Sequence, residues 1–464
     1  MLANQYLADP HVNETENGKR LLPPVPRYRI FILLVAAFVV NAAIVLLFLP
    51  RTGGLLESSS RTSVGPDYGL SFGDLYDFIA KNLDQGYGYR VEPNMGETML
   101  REPGYPLLIA AVFKIGGYSD QGPRLACILL AFGAALILLR LTRKITRDGT
   151  IALIAALLFL LYPGTLVAEA RAGNEIPCVV TMLLFILTLY RAVEEGSVWL
   201  FGMAGLLLGV AALVRSEVLL FPIFLLAYFF FTSRGWGARY KAVLQLTALA
   251  AGLLVAMSPW IIRNYILVHK FVPTDTLGGV AAQEGLYTCE HLSQYESFSE
   301  SQRGAGRERA EVARQLGLPF EGSYYYQFFY TPQSEMKFNR ALLDHVSEEY
   351  RRNPGVLAGC AAQNLFLKFW FLGKTPQATR MNMLVQLPLL ALAFGGFIVL
   401  YKQGLLRNAA IILLYVVYVP IIHAPIIAHA RHSMLVVAFL AVPAAVFLAW
   451  AWHVLQRSIN GHTG

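Results

Sequence analysis

Residues 71–83 read SFGDLYDFIAKNL and follow the first strongly apolar segment of the chain. The apolar side chains recur three or four residues apart, which is typical of one face of a helix: Leu75, Phe78, Ile79 and Leu83. The charged residues fall on the opposite stripe: Asp74, Asp77, Lys81 and Asp84. Beside a transmembrane segment, this pattern predicts an amphipathic helix that lies flat on the bilayer, with its carboxylates facing water.

The composition of the chain indicates a membrane protein. It has 464 residues, of which 56% are hydrophobic, and a mean hydropathy of +0.49, which is more apolar than a soluble protein needs. The net charge of +8 comes from basic residues clustered between apolar segments, so it reports topology and does not indicate nucleic-acid binding. The polar residues 1–29 and the apolar run after them do not have the features of a cleavable signal peptide.

About ten segments are long and apolar enough to cross the bilayer. They are residues 30–49, 122–141, 150–167, 176–191, 198–214, 217–232, 242–260, 384–401, 408–427 and 433–452. Two further apolar stretches, 105–117 and 356–372, are interpreted as re-entrant or interfacial helices. Counting either as a span would place the later basic clusters outside, against the positive-inside rule.

This assignment gives a cytoplasmic arm at 1–29, a membrane domain over 30–452 and a cytoplasmic tail at 453–464. The expected fold is therefore an all-α integral membrane protein whose interfacial helices lie in two large extracytoplasmic loops, at 50–121 and 261–383. Cys289 and Cys360 fall in the second loop and could form a disulfide there.

The short outer connections carry acids and arginines close to the membrane surface: Glu169, Arg171, Glu175, Arg215, Glu217 and Arg431. A charge near hydrocarbon is costly unless it faces a cavity or a partner. A carboxylate can take a proton from an attacking hydroxyl, and arginine can bind and neutralise a phosphate leaving group. This combination suits the transfer of a group from a phosphate-bearing lipid.

Three motifs of the first outer loop carry a family resemblance: Asp74-x-Tyr76-x-x-x-Ala80-x-x-Leu83, Gly86-Tyr87-Gly88-Tyr89 and Arg101-x-Pro103-Gly104-Tyr105-Pro106. Two more follow later: Ser258-Pro259-Trp260-x-x-Arg263-Asn264-Tyr265 and Ala430-Arg431-His432. In order and in spacing relative to the spans, they resemble the polytopic glycosyltransferases of the C-type fold. That group includes the protein O-mannosyltransferases and the aminoarabinose transferases of lipid A.

The resemblance implies a donor sugar on a polyprenyl phosphate and transfer on the outer face with inversion. Asp74 stands at the position of the family's catalytic acid. Many members carry a second acid directly afterwards, where this chain has Leu75; Asp77 or Glu102 could replace it, unless one acid suffices. A site with one carboxylate is a poorer site for a divalent metal, so a divalent metal cofactor stays open but is not supported by the sequence.

Eight further residues are expected to bind substrate: Glu102, Tyr105, Arg171, Glu175, Arg215, Arg263, Arg431 and His432. Arg431 is the favoured ligand of the lipid phosphate, with Arg263 or Arg215 assisting. Structural alternatives stay open for each. Asp74 could cap a helix within Ser71-x-x-Asp74, Glu102 could pair with Arg101, and the outer charges could pair with one another.

The metal-ligating alternative rests on three histidines: His423, His429 and His432. His429 and His432 are three residues apart, which a helix could bring together, but the sequence offers this pair no nearby third ligand of clear spacing, so a metal site is not predicted.

The function expected from these features is that of an inverting glycosyltransferase of a bacterial inner membrane. Its partners would be a polyprenyl-phosphate sugar, the lipid bilayer and a lipid, glycan or protein acceptor. The chief alternative is a transporter or flippase of a polyprenyl-linked or anionic substrate. Transporters tend to have repeated halves, which are not evident in this sequence. A non-enzymatic subunit of an envelope complex is a third possibility.

Overall fold

The computed structural model describes residues 25–49, 75–119, 121–233, 235–322 and 327–461. Asp74, the expected catalytic acid, lies outside the described residues, as do Ser71 and most of the arm expected at 1–29.

The described residues up to Val268 form ten helices: α1 (Arg27–Phe48), α2 (Tyr76–Asp84), α3 (Gly104–Gly116), α4 (Gln121–Thr146), α5 (Gly149–Leu160), α6 (Pro163–Ala170), α7 (Glu175–Glu195), α8 (Val198–Val214), α9 (Phe221–Thr232) and α10 (Trp236–Val268). A 3₁₀ turn, Ser216–Val218, joins α8 to α9.

After α10, the described chain forms α11 (Gly278–His291), α12 (Phe298–Gln315), α13 (Pro332–Arg352) and α14 (Pro354–Gln363). Three long apolar helices follow: α15 (Pro376–Lys402), α16 (Ala410–His423) and α17 (Met434–Gly461). A π-helical segment, Asn364–Lys368, extends α14. Two short antiparallel strands, β1 (Phe320–Gly322) and β2 (Gln327–Phe329), pair Phe320 with Phe329. The all-α expectation therefore holds apart from this hairpin, and α17 continues through most of the predicted tail.

Seven helices of the described chain are long and apolar enough to cross a membrane, and the bent pair α5 and α6 makes up to eight. The bend of 48° falls at Pro163, because proline lacks the N–H that a continuous helix would need and pushes Tyr162 to an extended conformation. Two segments predicted as spans, α8 and Ser216–Thr232, are shorter apolar helices, as is α3.

Helix α17 is the central element of the bundle, since every residue from His432 to Val446 is buried. Small residues allow other helices to approach closely. A Cβ added at Gly205 of α8 would lie 1.9 Å from the Leu249 carbonyl oxygen of α10, and one at Gly252 would lie 2.1 Å from the Gly202 carbonyl oxygen. Only glycine permits this backbone-to-backbone contact.

Helix α2 is covered by protein on both faces. Leu75 and Ile79 pack with Tyr89 and Trp260, while Tyr76 packs edge-on against Tyr105 of α3, with ring centroids 5.1 Å apart. The prediction that Asp77 faces water is wrong, because its side chain is completely buried. The segment after α2 folds back over the helix, and the Asn82 amide donates to the carbonyl oxygens of residues 90 and 91.

Candidate functional site

Glu175, the first residue of α7, is the buried centre of an ion-pair network. Arg215 Nη1, at the end of α8, donates to Glu175 Oε1 over 3.2 Å, and Arg431 Nε, just before α17, donates to the same oxygen. Gly173 makes room for this carboxylate, since a Cβ there would lie 2.0 Å from Glu175 Oε2. Two arginines that are far apart in sequence thus meet at one carboxylate.

The two arginines differ in how fully the protein surrounds them. Arg215 Nη2 donates to Glu217 Oε1 over 2.6 Å, its Nε donates to Glu217 Oε2, and its Nη1 also donates to Asn174 Oδ1 over 2.9 Å. The Arg215 side chain is 7% exposed and that of Arg431 is 25% exposed. Two carboxylates balance two guanidinium groups, and Arg431 is the cation that a ligand can reach more readily.

The residues after Asp74 contact this network. Asn174 Nδ2 donates to the Tyr76 hydroxyl over 2.9 Å, and the Arg101 guanidinium lies 5.0 Å from the centre of the Tyr76 ring. The contacts therefore run from Tyr76 through Asn174 and Arg215 to Glu175 and Arg431. The segment around Tyr76 and the connection before α17 are thus joined by one chain of contacts, although the sequence separates them widely.

Glu102 lies beside the network in a second buried group of acids. Its Oε1 accepts a hydrogen bond from the Ser216 N–H over 2.8 Å, and the Asp275 carboxylate also bonds Ser216. Burial and the neighbouring charges of Asp275 and Glu217 raise the pKa of Glu102 to about 8. Near neutral pH the Glu102 side chain is therefore mostly protonated and can donate a hydrogen bond. Asp275 was not among the predicted site residues.

The three histidines, His423, His429 and His432, form a cluster next to Glu217. His423 Nε2 lies 3.8 Å from Glu217 Oε1, and the His432 ring centre is 4.3 Å from that of His423 and 4.2 Å from that of His429. Burial, followed by nearby positive charges and histidines, holds the pKa values of His429 and His432 well below their ordinary range. His432 therefore lies beside Glu217 and His423.

Tyr105 and Arg171 bracket the turn between α6 and α7. The Tyr105 hydroxyl donates to the Ala172 carbonyl oxygen, and the Tyr105 side chain is buried. Arg171 follows the last residue of α6 and lies close enough for its charge to contribute to the low pKa of His429, for which burial is the main cause. Tyr105 therefore supports the segment that carries Glu175.

Arg263 of α10 lies in a different set of contacts from Arg215 and Arg431. Its Nη2 donates to Glu97 Oε2 over 3.0 Å, its Nη1 donates to the Thr98 carbonyl oxygen over 2.9 Å, and its guanidinium lies 4.5 Å from the Trp260 ring centre. These contacts join α10 to the segment between α2 and α3 that contains Glu97 and Thr98. Among the described contacts, none links Arg263 to Glu175.

A buried carboxylate that the sequence analysis missed joins α13 to the segment between α2 and α3. Glu335 of α13 accepts hydrogen bonds from the Thr98 hydroxyl over 2.5 Å and from the Met99 N–H over 2.9 Å. Burial raises its pKa to about 7. No sequence motif or periodic pattern indicates a role for Glu335. Its partners, Thr98 and Met99, lie in a loop far away in the sequence, so the contact could not be predicted.

Comparisons with known proteins address the fold. Residues 101–262 match the family model described as dolichyl-phosphate-mannose-protein mannosyltransferase. No curated protein sequence gives a significant match.

Solved structures give matches that cover most of the chain. AglB, the oligosaccharyltransferase of Archaeoglobus fulgidus, matches in its complex with an inhibitory peptide and a dolichol-phosphate, with a TM-score of 0.54 and 14% identity over 94% of this chain and 52% of that one. Its apo form gives 0.54 and 15% over 93% and 52%. This chain thus spans about half the length of the archaeal enzyme.

ArnT from Cupriavidus metallidurans, bound to undecaprenyl phosphate, matches with a TM-score of 0.42 and 14% identity over 91% of this chain and 78% of that one. The partial family match and the likeness to the archaeal enzyme agree with the resemblance seen in the sequence motifs. The chain has the C-type fold of the polytopic membrane glycosyltransferases.

Proposed function

We propose that this protein transfers a sugar from a polyprenyl-phosphate donor to an envelope acceptor on the extracytoplasmic face of a bacterial inner membrane. The observation that carries the proposal is the convergence of Arg215 and Arg431 on the buried Glu175. Arginine pairs of this kind suit recognition of a phosphate, because each guanidinium offers several N–H donors in a fixed plane.

Arg431 would bind the donor phosphate, and Arg215 would hold Glu175 and Glu217 in place beside it. The exposure of Arg431 supports this division, since its side chain is more accessible than that of Arg215. The archaeal oligosaccharyltransferase with the same fold has been solved with a dolichol-phosphate, which is a polyprenyl-type phosphate lipid. The fold is thus compatible with a ligand of the proposed class.

In the proposed reaction, the acceptor hydroxyl oxygen attacks the anomeric carbon while the bond from that carbon to the phosphate oxygen breaks. Asp74 accepts the hydroxyl proton, and polyprenyl phosphate leaves with its charge balanced by Arg431. Attack opposite to the leaving group inverts the anomeric centre. A single displacement requires one base and one stabilised leaving group, so one carboxylate can suffice.

Two observations on the residues that follow Asp74 in the chain support its role as the base. Tyr76, two positions later, contacts Asn174 of the arginine network. Leu75 has a left-handed backbone with a φ of 69°. A bulky residue in that conformation is strained, and such strain is concentrated at functional sites.

Glu102 would bind a hydroxyl of the sugar or of the acceptor. Its raised pKa leaves it able to donate a hydrogen bond near neutral pH, whereas an ionised carboxylate could only accept one. Asp275, which shares Ser216 with it, would hold the neighbouring negative charge. Arg263 would shape the site by fixing the segment around Glu97 and Thr98.

The test is a comparison of envelope lipids, glycans and proteins by mass spectrometry, in cells lacking the gene and complemented with wild-type or Asp74→Asn protein. We expect one glycosylated product to require the gene, and Asp74→Asn to abolish it while expression and donor binding persist. Asp84→Asn, at the exposed end of α2, is the matched control and should restore the product.

Full activity of Asp74→Asn would remove Asp74 as the base. If no glycosylated product depended on the gene and a polyprenyl-linked precursor accumulated unmodified on the cytoplasmic face, the transferase assignment would give way to a flippase.

A further inference from the structure

Three buried or half-buried side chains with metal-ligating atoms meet next to Arg215 of the arginine network. Glu217 belongs to the 3₁₀ turn after α8, His423 is the last residue of α16, and His432 precedes α17. One ligand atom from each lies within 4.8 Å of the other two. The sequence could not predict this set, because its members come from three separate segments.

The His423 ring is oriented as a metal-ligating imidazole is. Its Nδ1 lies 2.8 Å from the Val419 carbonyl oxygen, which can only accept, so Nδ1 carries a proton. In the tautomer that carries its only proton on Nδ1, the Nε2 atom has a lone pair. This Nε2 atom lies 3.8 Å from Glu217 Oε1, which is too long for a hydrogen bond. A backbone carbonyl that fixes the tautomer is the usual outer partner of a histidine bound to a metal.

The spacing of these two atoms leaves room for a small cation. Ligands that lie about 2.0–2.1 Å from a tetrahedral zinc ion are roughly 3.4 Å apart. The observed 3.8 Å needs only a small contraction. Arg215 already holds both oxygens of Glu217 through Nη2 and Nε, and the Tyr418 hydroxyl donates to the Glu217 carbonyl oxygen. The Arg215 contacts fix the Glu217 carboxylate, and the Tyr418 contact fixes the Glu217 backbone.

His432 supplies the third donor and an independent indication of a ligand. Its side chain is 9% exposed, and within the described part of the chain its Nδ1 atom makes no hydrogen bond. A buried ring nitrogen without a hydrogen bond is costly, and a bound cation would remove that cost.

We propose that Glu217, His423 and His432 bind one zinc ion. Two imidazole nitrogens and one carboxylate oxygen form a donor set that zinc accepts in open sites, whereas magnesium and calcium prefer oxygen ligands alone. The fourth position remains for an oxygen of water or of an anionic ligand. Because the acids and arginines of the network balance, the zinc ion would add positive charge beside Arg431. The site does not depend on the proposed transferase activity.

The test uses the full chain purified in detergent without a histidine tag, stripped with a chelator and re-equilibrated with zinc. Elemental mass spectrometry should find one zinc per chain in the wild type. His423→Ala and His432→Ala should each weaken zinc binding by more than about a hundredfold, which exceeds the 10- to 100-fold typical of losing an outer partner. His345→Ala, an exposed histidine of α13, is the control and should bind as the wild type does.

A second measurement guards against misfolded variants. Zinc should raise the thermal unfolding temperature of the wild type and of His345→Ala, but not that of the more conservative His423→Gln variant. A size-exclusion profile of His423→Gln that matches that of the wild type shows that this variant is folded. Cobalt in place of zinc should give the visible absorption of a tetrahedral site in the wild type only. Absence of bound zinc in the wild type, or binding that survives both alanine substitutions, would overturn the proposal.

Discussion

Glu175 is predictable from sequence as a charge at the membrane surface, but its partners are not. Its position before an apolar span drew attention to it, as did the similar positions of Arg215 and Arg431. That the two arginines share the Glu175 carboxylate depends on how α7, α8 and α17 pack, which periodicity cannot reveal. Asp275 and Glu335 were missed for the same reason, because they lie in polar outer segments where isolated acids are common.

Glu102 gives a prediction about pH and stability. Its pKa is raised from an ordinary value of 4.5 to about 8, first by burial and then by Asp275 and Glu217. A group with a raised folded pKa contributes stability that is complete below its ordinary pKa and is lost as pH rises through about 8. The thermal unfolding temperature of the wild type should therefore fall between about pH 6 and about pH 9.

Glu102→Gln removes this titrating group, so its unfolding temperature should fall less over the same interval. Intrinsic fluorescence during heating in detergent measures the effect. Glu311→Gln, on the exposed face of α12, is the control and should follow the wild type. Parallel curves for wild type and Glu102→Gln would contradict the assignment of a neutral Glu102.

At the scale of the element, the sequence predicted α8 with its observed bounds and predicted most other apolar helices, because length and hydropathy determine them. It did not predict the break at Pro163 or the hairpin of β1 and β2, which depend on a local bend and on three-residue strands. The surface position expected for α2 ignored the loop that folds over it. Amphipathic spacing indicates one apolar face but not what covers the polar one.

The contact between α8 and α10 predicts a strong effect of added volume. Gly205→Val should lower the unfolding temperature markedly, since even a Cβ would lie 1.9 Å from the Leu249 carbonyl oxygen and the helices would have to separate. Gly133→Ala, in α4, has nothing within 4 Å of the added Cβ and should be tolerated. The unfolding temperatures of the two variants are measured in detergent and compared with that of the wild type. Equal stability would contradict the close packing of α8 on α10.

The contact between α11 and α14 predicts a reactive thiol. Both Cys289 and Cys360 are free, and the hydrogen bond from Cys360 together with the charge of Lys368 outweighs burial and lowers the pKa of Cys289 to about 7. Lys368 Nζ lies 3.3 Å from Cys289 Sγ. Alkylation of Cys289 by iodoacetamide, followed by peptide mass spectrometry, should therefore reach half its maximal rate near about pH 7.

Lys368→Met should move this midpoint to higher pH, because it removes the cation that stabilises the thiolate. A midpoint near the ordinary thiol value of about 8.5 in the wild type would contradict the arrangement. The sequence left the pairing of Cys289 and Cys360 open. In this structure the two cysteines are close to each other, and both are free thiols.

At the scale of the whole molecule, buried and half-buried polar contacts join the segment between α2 and α3 to α10 and α13. They include the hydrogen bonds of Arg263 and Glu335 to Thr98. Basic clusters between spans predict that both termini are cytoplasmic and that α12 is outside. Single cysteines at Arg307 and Lys402, in a chain whose native cysteines are replaced by serine, test this topology. An impermeant maleimide should label position 307 in intact cells and position 402 only after permeabilisation.

Labelling of position 402 in intact cells would reverse the assignment of faces. It would also place the arginine network on the cytoplasmic side, where a donor for extracytoplasmic transfer would be out of reach.

The most direct measurement for the central claim is the affinity of the purified protein for a polyprenyl phosphate in detergent. Arg431→Ala should weaken binding by about tenfold or more, because a hydrogen bond to a charged group contributes about 1.5–3 kcal/mol. Arg340→Ala, an exposed arginine of α13, should bind as the wild type does. If the wild type fails to bind the lipid, or if Arg431→Ala binds it with unchanged affinity, the proposed donor site is contradicted.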